Sequence, residues 1–299
     1  MNIELGYACI NLDIGGFRTY NLEHLTEYNQ PLIKEVILHN LHITIENIKW
    51  NVERRIRLYR LTSELIPKAT HPLFKEWQTT VGWFWYEDTD ILAQFNYIYQ
   101  LNMYYNLHLT LHPGQYTVIN ALKEDVYHKS LEDLIYHWWV LEKIGGHFLI
   151  IHVGGKYGDK QKSLDRFIDR LRELPEPLLK KLVIENDDKV YTIDDVLEVC
   201  KAVSVKPLFD FHHNRCNPVP NIRQSLGKVV DIWKGETNYI KVHLSSGATH
   251  DKDRSHSDYV KVNDLEDLVE LFAPCKLDTL AVMLECKMKN KSVLNMRRD

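Results

Sequence analysis

The sequence predicts an α/β protein, a single-domain (β/α)8 TIM barrel, on three observations. Short apolar segments of strand length alternate with helical segments, which is typical of parallel strands covered by helices on both faces. Eight strand segments can be assigned, the number that closes such a barrel. Most of these segments end in His, Asp or Glu, at the strand ends where barrel active sites lie. Because 299 residues is ordinary for one barrel, we expect a single domain over residues 1–299.

The first half of the chain supplies the first four strands and their helices. Apolar residues at helical spacing, with charges between them, separate the strand-like segments. Residues 67–72 contain two prolines and are expected to form a loop. We expect strands at Asn2–Tyr7, Leu58–Ile66, Leu107–His112 and Phe148–Gly155, and helices at Leu22–Asn40, Ile43–Arg60, Asp90–Asn106 and Glu124–Ile144.

The second half repeats the pattern with shorter helices. Thr192 and Asp195 fit a helix N-cap followed by an acidic residue in the first turn. A helix that ends before Pro175 and Pro177 precedes the fifth strand. We expect strands at Leu182–Asn186, Val205–Phe211, Tyr239–Ser245 and Thr279–Cys286, and helices at Ser163–Leu174, Thr192–Val203, Val219–Trp233 and Val260–Phe272.

Composition and charge exclude several classes of protein. The net charge of −4 argues against a surface coated with basic residues, so any nucleic acid would be bound through a local basic lining and metal ions. The five cysteines form no Cys-x-x-Cys pair, which fits a reducing cytoplasm. No secretory signal and no apolar run of about 20 residues is present, so we expect no membrane contact. Residues 287–299 are expected to be a basic, solvated tail.

The polar strand ends predict a metal cluster with Glu185 at its centre. Buried carboxylates are costly unless they are paired or bind a metal, so several at converging strand ends are unlike ordinary core residues. A mixture of carboxylates and imidazoles suits Mn²⁺, Zn²⁺ or Fe²⁺ better than Ca²⁺. Two ions bridged by one carboxylate would activate water against a phosphodiester. The candidate ligands at strand ends are His112, His152, Glu185, Asp210, His243 and Glu285.

Five segments together resemble the UV damage endonuclease family. Each segment alone is a weak signal, but their combination is specific and covers the chain from Tyr7 to about Glu285. The segments are Leu111-His112-Pro113-Gly114-Gln115-Tyr116, Ile151-His152-Val153-Gly154-Gly155-Lys156-Tyr157-Gly158-Asp159-Lys160, Ile184-Glu185-Asn186-Asp187-Asp188, Phe209-Asp210-Phe211-His212-His213 and Lys241-Val242-His243-Leu244-Ser245-Ser246.

This resemblance implies a TIM barrel related to endonuclease IV that cuts DNA without ATP. The implied cut lies immediately on the five-prime side of cyclobutane pyrimidine dimers and six-four photoproducts. The implied cofactor is Mn²⁺, as two or three ions, with Zn²⁺, Mg²⁺ or Co²⁺ as substitutes. The implied partner is UV-damaged double-stranded DNA, bound by a monomer that needs no nucleotide cofactor.

The resemblance also implies a role for each matching residue. Glu185 would bridge two ions, with His112 and His152 on the first ion and Asp210, His243 and Glu285 on the second. A third ion would be held by His213 and His256, while His71 and Lys241 would lie beside the scissile phosphate. Gln115 and Tyr116 would wedge into the DNA where the damaged bases leave the stack, and Tyr7 and Asn11 would lie near those bases.

The third metal site departs from the pattern of the related abasic-site enzymes. Those enzymes have Asp two residues before the second His, whereas this chain has Arg254 before His256. One hypothesis is that Lys241, crowded among cations, is carbamylated and supplies the missing carboxylate.

Three alternatives stay open from the sequence. An abasic-site endonuclease of the endonuclease IV type would share the fold and the metals but have a different lesion pocket. A xylose-isomerase-like sugar isomerase would share the barrel and ligands but need no DNA surface. A metal-containing DNA-binding module without catalysis would bind lesions and leave the strands intact.

Overall fold

The computed structural model, which describes residues 1–234 and 239–297, is a closed barrel of eight parallel strands in sequence order. It therefore confirms the predicted (β/α)8 class. Each strand has a short apolar core, and the strands end at the same rim. The strands are β1 Asn2–Ala8, β2 Leu58–Arg60, β3 His108–Leu111, β4 Phe148–His152, β5 Leu182–Glu185, β6 Lys206–Asp210, β7 Tyr239–Leu244 and β8 Thr279–Leu284.

Pairing of β1 with β8 closes the barrel. The register runs from Asn2 opposite Thr279 to Tyr7 opposite Leu284. On its other side β1 pairs with β2, where Ala8 lies opposite Arg60. The last strand thus lies beside the first, and only β1 separates β2 from β8.

Helices surround the barrel and bury an apolar core between themselves and the strands. Single 3-10 turns occur at Leu22–His24 and Ala273–Cys275. Within the described residues, no helix combines the length and apolar character needed to cross a membrane. The helices are α1 Gln30–Glu53, α2 Pro72–Val81, α3 Thr89–Tyr105, α4 Glu124–Lys143, α5 Lys160–Arg172, α6 Glu176–Leu179, α7 Ile193–Val203, α8 Phe211–Cys216, α9 Ile222–Lys234, α10 Val262–Phe272 and α11 Lys289–Met296.

The region before β3 differs most from the prediction. One long helix, α1, replaces the two helices expected at Leu22–Asn40 and Ile43–Arg60, because no helix-breaking residue interrupts it. Strand β2 has three residues instead of the predicted Leu58–Ile66. Helix α2 begins directly after His71, with Pro72 at its first position, which is a favourable place for proline. The prolines of residues 67–72 predict a loop, so the sequence does not indicate that a helix begins at Pro72.

The C-terminal segment is a helix and not a solvated tail, which corrects the sequence-based expectation. In α11 the side chains of Asn290, Ser292 and Val293 are buried. Asn290 accepts a hydrogen bond from the backbone N–H of Leu12 at 2.9 Å and donates one to Asp13 at 2.8 Å. The last two residues, Arg298 and Asp299, lie outside the described part of the chain. The helix thus fastens the loop that follows β1.

Candidate metal centre

Glu185, the last residue of β5, lies among four histidines and presents a different oxygen to each pair. Its Oε2 is 3.1 Å from His112 Nε2 and 3.7 Å from His152 Nε2. Its Oε1 is 3.0 Å from His243 Nδ1 and 3.6 Å from His213 Nδ1. A carboxylate with one oxygen directed to each side is suited to bridge two cations.

Three groups of side chains around Glu185 could each hold a cation. In each group the potential ligand atoms lie within 4.8 Å of one another. The chemistry also fits a metal, because Oδ2 of Asp210 is buried and has no hydrogen-bond partner in the described structure. The groups are His112, His152 and Glu185; Glu185, Asp210 and His213; and Glu185, His243 and Glu285.

Local structure at the end of β6 brings Asp210 and His213 together. Asp210 is the N-cap of α8, and its Oδ1 accepts a hydrogen bond from the backbone N–H of His213 at 2.6 Å. His213 therefore lies in the first turn of a helix and not on the predicted loop. The amide of Asn186 secures β6, since its Oδ1 accepts from the Asp210 N–H at 2.8 Å. Sequence reasoning missed the role of Asn186, although it follows Glu185 directly.

His213 and His256, which were expected to share a third ion, are grouped differently in the structure. His213 lies with Glu185 and Asp210, and no three-residue group among the described residues includes His256. The ring of His256 lies 6.0 Å from that of His212. Arg254, the residue that departs from the related enzymes, forms an ion pair with Asp188 at 3.0 Å. A third ion at His213 and His256 stays a prediction.

Burial and neighbouring charge shift the pKa values of His112 and His213 in opposite directions. Burial lowers the pKa of His112 to about 4, although Glu185 opposes this shift. His112 Nδ1 lies 2.9 Å from the carbonyl oxygen of Pro113 and can donate to it, which leaves the Nε2 lone pair directed at the cluster. Burial also disfavours charge on His213, but Asp210, Glu185 and Glu285 outweigh it and raise the pKa to about 9. His213 therefore carries a proton that a cation must displace.

Glu185 and Glu285 are ionised at the cluster. Burial alone would raise the pKa of Glu185, but His243, His152 and His112 together hold it well below its usual range. Burial acts in the same direction on Glu285, where Arg60 and His243 outweigh it and lower the pKa. Anionic oxygens and a neutral imidazole are the forms that bind a divalent metal.

Sequence reasoning missed Arg60, which forms an ion pair with Glu285. Arg60 is the last residue of β2, so its position follows the same rule that identified the metal ligands. The predicted strand Leu58–Ile66 places Arg60 in its interior, so a search for polar residues at strand ends does not identify it.

Lys241 lies on the same face of β7 as His243, but it is 1% exposed. Its Nζ donates a hydrogen bond to Thr110 at 2.7 Å. Burial and the nearby Arg60 hold its pKa well below the usual range, which favours the neutral amine. Lys241 is therefore shielded from solvent in this structure, and direct contact with a scissile phosphate stays a prediction.

The loop after β3 forms one wall of an open cavity that none of the candidate metal ligands lines. The cavity has a volume of about 600 Å³ and is lined by His71, Gly114 and Tyr116, among others. Tyr116 is 84% exposed, and Gln115 is also exposed. His71 is the N-cap of α2, and its Nδ1 accepts a hydrogen bond from the Leu73 N–H at 3.2 Å. The structure thus brings His71 to the same cavity as Tyr116.

Tyr7 and Asn11, expected near the flipped bases, are both fully buried. Asn11 donates to the Tyr7 hydroxyl at 2.9 Å, and that hydroxyl donates to Asn51 of α1 at 2.8 Å. The Tyr7 ring also packs against Trp50 of α1, with ring centroids 6.4 Å apart. Because side chains alternate along a strand, Tyr7 faces the helix layer and not the barrel mouth. Both side chains are therefore shielded from solvent in this structure, and their position near the flipped bases stays a prediction.

Three comparisons with known proteins match this chain over nearly its full length. The family model for the UV-endonuclease UvdE matches residues 3–299. A UV DNA damage endonuclease from Bacillus velezensis is 32% identical over 293 residues, covering 95% of this chain and 88% of the relative. The solved structure of SacUVDE has a TM-score of 0.84 at 27% identity and covers 99% of this chain and 97% of its own. These matches extend over almost the whole chain.

A more distant structural match shows the fold alone. Endonuclease IV from Thermus thermophilus has a TM-score of 0.58 at 12% identity, covering 85% of this chain and 91% of its own. That identity supports a shared barrel and carries no argument about the substrate.

Proposed function

This chain belongs to the UV-endonuclease UvdE family, and on that premise we propose that it is a metal-dependent endonuclease acting on UV-damaged double-stranded DNA. The proposed cut lies immediately on the five-prime side of cyclobutane pyrimidine dimers and six-four photoproducts, without ATP. The observation that carries the proposal is Glu185, whose two oxygens face separate histidine pairs at the barrel mouth.

The proposed cofactor is Mn²⁺, as two or three ions. When bound, the ions would polarise a phosphodiester and lower the pKa of water. His112, His152 and Glu185 would hold one ion, and Glu285 and His243 would hold another together with the second oxygen of Glu185. Asp210 would also serve the second ion, with its unpartnered Oδ2 as the free ligand atom.

The exposed loop of Gln115 and Tyr116 is proposed to read the lesion. A crosslinked dimer stacks and pairs poorly, so its removal from the helix costs less than that of intact bases. An exposed aromatic ring can fill the gap by stacking on the remaining bases. Tyr7 and Asn11 would support this site indirectly, through the loop after β1. His71, on the same cavity wall, would lie near the DNA backbone.

Incision of labelled duplexes in the presence of Mn²⁺ tests the proposal. The duplexes carry a cyclobutane dimer, an abasic site or no lesion. A nick directly five-prime of the dimer is the expected result. Cutting at the abasic site alone would favour an enzyme of the endonuclease IV type. Binding to the dimer with no cutting would indicate a DNA-binding module, and neither binding nor cutting would favour a sugar substrate.

A further inference from the structure

Arg60 connects the second strand of the barrel to the metal ligand on the eighth. Its guanidinium forms an ion pair with Oε1 of Glu285, and the side chains are 13% and 14% exposed. The same oxygen lies 3.0 Å from Nδ1 of His243. Arg60 and His243 thus meet at one carboxylate oxygen, although Arg60 is in none of the three ligand groups.

We propose that Arg60 is a positioning residue that holds Glu285 beside His243 so that both can bind one cation with Glu185. The inference rests on the proposed metal centre and adds a residue that is not itself a ligand. A carboxylate has two oxygens with several lone pairs, so it can accept from a guanidinium and bind a cation together. Hydrogen bonds to ligating carboxylates orient the ligand and strengthen metal binding.

The surroundings of Arg60 argue against a purely structural role. An arginine is always charged, and a buried charge is costly unless it is paired. The strand positions opposite Arg60 carry the small side chains of Ala8 and Thr110, and both are buried. The Nε of Arg60 is itself buried without a partner in the described structure. An apolar side chain would avoid these costs, so the presence of Arg60 is explained by its pairing with Glu285.

The position of Glu285 explains why it needs such support. Glu285 follows directly after β8, and its backbone N–H donates to the carbonyl of Leu244 at 2.9 Å. Without Arg60, the carboxylate would face like charge on Glu185 and could turn toward the open mouth. Arg60 offsets that repulsion and fixes the oxygen next to the His243 ligand atom.

Mn²⁺ binding to the DNA-free protein, followed by the electron paramagnetic resonance signal of unbound Mn²⁺, tests this role. We expect Arg60→Gln to weaken one Mn²⁺ site by about 10–100-fold and to leave the His112 and His152 site unchanged. Arg60→Lys keeps the charge but lacks the planar fork, so we expect a smaller loss. It also carries the test if the Gln variant does not fold.

Arg57→Gln is the matched control. Arg57 forms an ion pair with Glu4 near the start of β1, at the opposite end of the barrel. Its removal deletes the same type of pair away from the cluster, so Mn²⁺ affinity should equal that of the unchanged protein. Circular dichroism of each variant verifies that the barrel is folded.

A double substitution distinguishes action through Glu285 from a general effect. If Arg60 works by placing Glu285, Arg60→Gln should cause no further loss of Mn²⁺ affinity in a Glu285→Gln protein. The inference is overturned if Arg60→Gln lowers the Mn²⁺ affinity of the Glu285→Gln protein as much as it lowers that of the unsubstituted protein. It is also overturned if Arg60→Gln alone leaves Mn²⁺ binding unchanged. Failure of the unsubstituted protein to bind Mn²⁺ would instead refute the metal centre itself, and this inference with it.

Discussion

Oε1 of Glu185 lies 3.0 Å from Nδ1 of His243, a residue two strands away around the barrel. Both side chains are almost completely buried, so a carboxylate and an imidazole face each other out of contact with water. The other carboxylate oxygen faces His112. Removal of this one carboxylate would therefore disrupt the ligand sets on both sides.

Glu185→Gln should abolish incision and spare lesion binding. The amide keeps the size of the side chain but loses the bridging charge. We expect the incision rate to fall by more than about 100-fold. Loss of a residue that only hydrogen-bonds to a metal ligand already lowers activity or metal affinity by about 10–100-fold. Gel-shift and nicking assays on one dimer-containing duplex measure both properties. Glu142→Gln, an exposed change at the end of α4, is the control. Substantial nicking by Glu185→Gln would contradict the central assignment.

Chelation should lower the thermal stability, and Mn²⁺ should restore it. A ligand that binds only the folded protein stabilises it by about 2.7 kcal/mol at 100 times its Kd. We therefore expect the Tm to fall in excess chelator and to rise with Mn²⁺ concentration, as measured by calorimetry. In Glu185→Gln the dependence on Mn²⁺ should be reduced. A Tm that does not change with Mn²⁺ concentration would argue against a metal site in the folded protein.

Tyr116→Ala should reduce discrimination between damaged and intact DNA with little effect on stability. Tyr116 is 84% exposed, so the change in unfolding free energy should stay within about 0.5 kcal/mol. Stacking on a base contributes about 1–3 kcal/mol, which predicts roughly a 10-fold loss of lesion preference. Competition binding with dimer-containing and undamaged duplexes measures it. Tyr104→Ala, on α3 and 81% exposed, is the matched control. If Tyr116→Ala and Tyr104→Ala change the lesion preference equally, Tyr116 does not act as a wedge.

Two histidines away from the metal centre should make the protein acid-sensitive. The rings of His108 and His147 lie 4.6 Å apart. Burial, with help from neighbouring positive charge, lowers the pKa of His108 to about 3 and that of His147 to about 4. The unfolded residues titrate near pH 6.5, so on acidification the unfolded chain binds protons first. Stability is therefore retained above about pH 6.5 and lost as the pH falls toward 4.

His147→Gln should weaken this loss of stability on acidification. Urea unfolding of the metal-free protein at pH 7 and pH about 5 gives the comparison. The fall in midpoint between the two should be smaller in His147→Gln than in the unsubstituted protein. His42→Gln, at an exposed position on α1, should leave the fall unchanged. If His147→Gln and His42→Gln behave alike, the half-buried pair of His108 and His147 does not cause the acid sensitivity.

Lys241 should carry a carbamate in the metal-loaded protein. The amine is buried and its lowered pKa favours the neutral form, which is the form that reacts with carbon dioxide. Intact mass under non-acidic conditions should exceed the sequence mass by one carbon dioxide, and Lys241→Met should lack this increase. An unmodified Lys241 in a protein with every metal site filled would contradict the hypothesis.

The sequence by itself determined the barrel class and the chemical type of its site. Parallel strands place their carboxyl ends at one rim, so the side chains at strand ends, such as His152, Glu185 and Asp210, had to converge wherever the barrel closed. Identification of these ends required only short apolar segments and the residue that follows each one. Helices α2 and α8 are not predicted from the sequence. One begins at a proline and the other is short, so few residues carry the helical periodicity there.

Only the tertiary structure decided which of these residues meet. The start of α8 placed His213 against Asp210 and Glu185, where the sequence had suggested a loop. Strand alternation turned Tyr7 toward Trp50 of α1. Closure of β1 between β2 and β8 paired Arg60 with Glu285, 225 positions away in the chain. Such long-range pairs depend on register and closure around the whole barrel, which no local pattern encodes.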